Sequence, residues 1–139
     1  MKILLWLAAV AVLIQFVPFG RDHTNPASVK EPAWDSPATR DLARRACFDC
    51  HSNQTTWPWY SHIAPVSWLV QRDVNGGRSH LNFTRWDQTQ RHAKDVVEEI
   101  KTGDMPPWFY LPMHPNAKLT DAEKQALMEG AAKSLGPQR

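Results

Sequence analysis

The chain of 139 residues carries only two cysteines, Cys47 and Cys50, and that scarcity excludes much. A structural zinc site would need two further thiolates or well-spaced histidines to complete its four ligands. A thioredoxin-like redox pair would need a surrounding βαβ pattern, and none is present. No segment sustains the two-residue alternation of a half-buried strand, and there are no internal repeats, so the patterning is all-α. An excess of charge is missing too: 16 basic residues stand against 14 acidic ones. Without a basic stripe, nucleic acid is not an expected partner.

What is present is the run Cys47-Phe48-Asp49-Cys50-His51, which reads C-x-x-C-H. This is the attachment signature of a c-type haem. Two thiols at this spacing can each add across a vinyl group of one porphyrin, forming thioethers that do not dissociate. The next residue is then held under the iron, so His51 becomes its proximal ligand. The motif predicts one covalent haem c on Cys47 and Cys50. Its two propionates would offset the small positive charge of the chain.

Residues 3–19 are apolar except for Gln15. They lie at the short end of what spans a bilayer. A cleaved signal peptide is the rival reading, but Pro18-Phe19-Gly20 lacks the small residues wanted before a cut. The expectation is an uncleaved N-terminal transmembrane helix over residues 1–20. It would make this a single-pass protein of the inner membrane, N-terminus in the cytoplasm and haem domain facing the periplasm. Residues 21–37, with Pro26, Pro32 and Pro37, read as an extended tether, unless Trp34 docks it. Residues 38–137 form the haem domain.

Within that domain, Ser36 as N-cap and Pro37 at the first helical position start a helix that runs into the haem motif. Residues 52–86 read as loops and one or two short helices, with helical character around 66–70 and Gly76-Gly77 beyond. A second helix is expected over 88–101, where Ala93, Val96, Val97 and Ile100 recur at helical spacing and Gly103 stops it. A third begins at Thr120, whose partner Glu123 completes a capping box, and continues to about residue 134.

The second axial ligand of the iron fixes the chemistry. Met105, in Gly103-Asp104-Met105-Pro106-Pro107, is the leading candidate. The prolines stiffen a loop able to hold a thioether at the metal, and a residue before proline is pushed out of helical geometry. A thioether raises the reduction potential. Met113 is the fallback, followed by His62, His80, His92 and His114. Trp57, Trp59, Tyr60, Arg72, Arg78 and Arg85 are candidates for pairing with a propionate.

The order Cys-x-x-Cys-His-Ser-Asn, Trp57-Pro58-Trp59-Tyr60-Ser61 and Ile63-Ala64-Pro65-Val66-Ser67-Trp68-Leu69 resembles a recognised group. Leu81-Asn82-Phe83-Thr84, Gly-x-Met105-Pro106 and His114-Pro115 followed by Leu119-Thr120 continue the likeness. It resembles the haem-binding-domain family of small bacterial c-type cytochromes, and the resemblance covers nearly the whole chain. That implies a cytochrome c-like fold, covalent haem at Cys47 and Cys50, His51 proximal and Met105 distal. It also suggests Asn82 as a residue fixing the distal loop.

The expected function is a membrane-tethered carrier of single electrons between redox protein partners in or near the membrane, not an enzyme. The alternative is a haem-based sensor in which the distal Met is displaced by a ligand.

Overall fold

The computed structural model describes residues 1–136, so the expected domain end at residue 137 lies outside the described residues. Six α-helices follow one another: α1 (Lys2–Leu13), α2 (Pro37–Ala46), α3 (Phe48–His51), α4 (Val66–His80), α5 (Val96–Thr102) and α6 (Asp121–Ser134). Short 3-10 turns join them, and among the described residues there is no strand, only an isolated bridge between Lys30 and Arg85. The all-α expectation holds.

The expected transmembrane helix does not. The 12 residues of α1 rise about 18 Å, well short of the roughly 30 Å of bilayer hydrocarbon. No helix among the described residues is long and apolar enough to cross a membrane. This overturns both the transmembrane helix over residues 1–20 and the single-pass inner-membrane placement built on it. The cause is local. Gln15, the one polar residue of the stretch, exchanges two hydrogen bonds with the backbone of Ala64, donating at 3.0 Å and accepting at 3.0 Å. The chain is extended by Val17, and Pro18 cannot continue a helix.

Residues 21–36 run along the domain. The Val29 and Lys30 N–H groups donate to the Thr84 carbonyl, and Trp86 N–H donates to that of Lys30. Trp34 is half-buried against the core, its ring 5.4 Å from Phe83 and 6.4 Å from Phe48.

Helix α2 starts as its sequence requires, with Ser36 Oγ accepting from Thr39 N–H and Pro37 at the first position. It packs on α6 through Thr39, which is buried. A Cβ on Gly130 would collide with the Thr39 side chain, so only glycine lets the two helices come this close. The Thr120–Glu123 capping box opens α6, and Arg45 pairs with the same Glu123 at 2.6 Å. The core joins Ala43 and Ala46 of α2, Phe48 of α3, Ile100 of α5 and Leu127 and Ala131 of α6 to Leu81 and Phe83.

Two elements differ from their expectation. Helix α5 begins only at Val96, because the buried Gln90 amide holds residues 85–90 in a turn. It accepts from Asn82 N–H and donates to the carbonyls of Arg85 and Gln88. Helix α4 runs straight through Gly76-Gly77 to His80. There α4 crosses α3 so closely that a Cβ on Gly77 would overlap the Cys50 carbonyl.

Candidate functional site

The Cys-x-x-Cys-His run occupies one helical turn. Cys47 ends α2, its N–H donating to the Ala43 carbonyl at 2.8 Å. Its own carbonyl accepts from His51 N–H at 2.8 Å, which closes the turn and sets two thiols and an imidazole on a single short element. Both cysteines are free. Burial pushes each thiol up to about 12, so they rest as thiols, slow to oxidise.

The orientation of His51 is set by the backbone. Its Nδ1 lies 3.1 Å from the Leu81 carbonyl, which can only accept. Nδ1 therefore carries the proton, and Nε2 keeps its lone pair for a metal. Burial lowers the pKa of His51, which favours this neutral form. The segment that supplies the carbonyl is itself held tightly. Phe83 N–H donates to the His51 carbonyl at 2.8 Å. Asn82 donates to Asn53 Oδ1 at 2.8 Å and accepts from both the N–H and hydroxyl of Thr84, whose Oγ1 accepts from Asn53 N–H. Asn82, expected to fix the distal loop, is bonded in the segment that supplies the carbonyl to His51.

Beside Cys50 lies a cavity of about 580 Å3, walled by Leu69, Val70 and Val74 of α4 and by Tyr110, Met113 and His114 of the loop after α5. Neither His51 nor Met105 lines it. Met105 is half-buried at the start of that loop, its N–H bonded to the Glu99 carbonyl at 3.1 Å. The structure thus brings Cys47, Cys50 and His51 together, puts Met113 and His114 at the cavity, and leaves Met105 to one side of it.

Two tyrosines fasten the loop. The Tyr110 phenol donates to Asp49 Oδ2 at 2.7 Å, inside the haem motif itself. Burial and then that carboxylate push the phenol well above its ordinary pKa, so it remains a donor. The His114 ring stacks on Tyr110 at 3.7 Å, and its Nδ1 donates to the Tyr110 carbonyl at 3.0 Å. Nε2 of His114 then accepts from the Tyr60 phenol at 3.1 Å. Asp49 and Tyr110 escaped the sequence reading; they are 61 positions apart, and no local spacing links them.

The candidate propionate partners are distributed unevenly. Arg72 pairs with Asp73 and Arg85 with Asp87. Arg78 ties Ser52 and Thr24 carbonyls to Asn25 and Thr55 side chains. The Trp57 and Trp68 indole N–H groups and Gln71 Oε1 are buried with no hydrogen-bond partner among the described residues, and none of these three residues lines the cavity.

An apolar cavity beside Cys50, with the neutral His51 imidazole on the same helical turn, is a donor set whose chemistry suits a haem. The arrangement is that of an all-helical haem-binding protein. The chain matches the family described as haem-binding domain over residues 9–133, and it belongs to that family. No curated protein and no solved structure matches it.

Proposed function

We propose that the protein carries single electrons on one haem c, joined through thioethers to Cys47 and Cys50. The observation that carries this reading is the His51–Leu81 hydrogen bond. It fixes the tautomer and ring orientation that an axial imidazole needs. Met105 would complete the coordination. The haem supplies an iron that alternates between its ferric and ferrous states.

The polypeptide keeps the ligand geometry the same in both states. Asn82, Asn53 and Thr84 hold the proximal carbonyl in place, while Tyr110 and Tyr60 hold the opposite loop. The partners of such a carrier are other redox proteins. A second reading, a ligand-sensing haem, draws on the position of Met113 and His114 at the cavity while Met105 stands aside. In that case the sixth position would open to an exogenous ligand.

The test is the mass of protein produced in a host with c-type maturation machinery. One haem should stay attached after denaturation and be lost from Cys47→Ser/Cys50→Ser. A haem that dissociates on unfolding would refute covalent attachment. Rapid carbon monoxide binding by the ferrous protein would favour the sensor.

A further inference from the structure

A second cavity, of about 530 Å3, shares no lining residue with the first and differs from it in kind. Arg78, Arg85, Arg91, His80 and His92 line it, and no carboxylate does. In a chain with nearly equal numbers of acids and bases this is a strong local excess. Some of that charge is answered at the margin: Asp87 pairs with Arg85 and Asp95 with His92. The rest is not. Every hydrogen bond of Arg78 goes to a neutral oxygen, and Arg91 has no ion pair among the described residues. Burial lowers the pKa of Arg78, while the nearby Asp22 carboxylate works the other way.

A guanidinium without a carboxylate, as Arg91 is, gains from an incoming anion through charge-assisted bonds. The frame is preformed, because Asn53, Asn82 and Gln90, which line the cavity, are buried and fully engaged with one another and with backbone. The His80 and His92 rings stand 5.2 Å apart, a spacing that could interest a metal cation. Three guanidiniums around them make the field wrong for one. The concave shape suits a small molecule, not the convex face of a protein.

We infer that this cavity binds a small multiply charged anion bearing phosphate or carboxylate groups, with Arg91 as its main counter-charge and Arg78 adding to the field from the wall. Binding is independent of how the haem is ligated. Its consequence rests on the proposed function: Asn82 in the cavity wall follows Leu81, whose carbonyl orients His51. Negative charge placed there favours ferric iron and lowers the reduction potential.

Isothermal titration of the holoprotein at low ionic strength, with pyrophosphate and separately with citrate, tests the site. Saturable uptake of one equivalent per chain is expected for at least one of them, and which one it is distinguishes phosphate from carboxylate. Arg91→Ser should weaken it about tenfold, Arg91→Lys should recover part, and Arg72→Ser, at the other cavity, should leave it unchanged. Arg91 is exposed, so circular dichroism of its variants should match the parent. No saturable uptake of either anion, or uptake indifferent to Arg91→Ser and Arg78→Gln, overturns the inference. Loss of the potential shift with binding intact would instead count against the haem placement.

Discussion

The two flanks of the haem motif are built differently. On the proximal side, residues 81–84 are buried along their whole length, and the Asn53–Asn82–Thr84 network leaves little freedom. On the other side, the loop from Gly103 to Ala117 exposes Trp108, Phe109 and Met113 and folds into short 3-10 turns. Two tyrosine phenols fasten it. Buried, saturated backbone opens only with global unfolding, whereas a loop with few interior contacts opens locally. The segment that holds His51 is thus hard to move, whereas the loop carrying Met105, Met113 and His114 depends on a few hydrogen bonds.

Substitutions can break this contrast in graded steps. The largest effect is expected from Phe83→Ala, because Phe83 stacks on Phe48 at 5.6 Å in the core and a cavity of this kind costs about 3–5 kcal/mol. Chemical denaturation would read it as an early midpoint with the slope unchanged. Asn82→Ala comes next: it takes the donor from Asn53 Oδ1 and the acceptor from the Thr84 N–H and hydroxyl in a buried site, at about 1–3 kcal/mol. Its signature is a shifted spectrum of the haem, since the Leu81 carbonyl loses its support. A spectrum unchanged from the parent would separate His51 orientation from this network.

Smaller in stability, but aimed at the other flank, is Tyr110→Phe. Losing the bond to Asp49 should cost about 1 kcal/mol, yet accelerate carbon monoxide binding as the loop loosens. Equal rates in parent and variant would mean that the loop is held elsewhere. The mildest change concerns acid. Glu123 is drawn down to about 2 by the Thr120 N–H and then by Arg45, from an ordinary value of 4.5. A depressed carboxyl stabilises the fold above its unfolded pKa and loses that contribution as pH falls through the folded one. Stability should therefore decline from pH 4.5 toward 2, and Glu123→Gln should flatten part of that decline.

Much of this was legible in the sequence because it depends on near neighbours. Ser36-Pro37, the Thr120–Glu123 box and the Cys-x-x-Cys-His turn are read within four positions, and each forms as its chemistry dictates. The reading failed where a distant partner decides. Gln15 looks like a lone polar residue in a membrane span until Ala64 is brought against it. Gly76-Gly77 looks like a break until α4 is seen to need a bare backbone beside Cys50. Gln90 stops a well-patterned helix because its side chain satisfies three backbone groups nearby. The Asp49–Tyr110 bond, on which the loop depends, joins segments that no periodicity connects.

Absorption spectra of the oxidised and reduced holoprotein, beside those of Met105→Ala, test the central claim most directly. The account predicts a low-spin protein with a weak far-red band in the ferric form, and loss of that band in the variant. A high-spin parent, or a low-spin spectrum indifferent to Met105, would contradict it and move the sixth position to Met113, His114 or an external ligand.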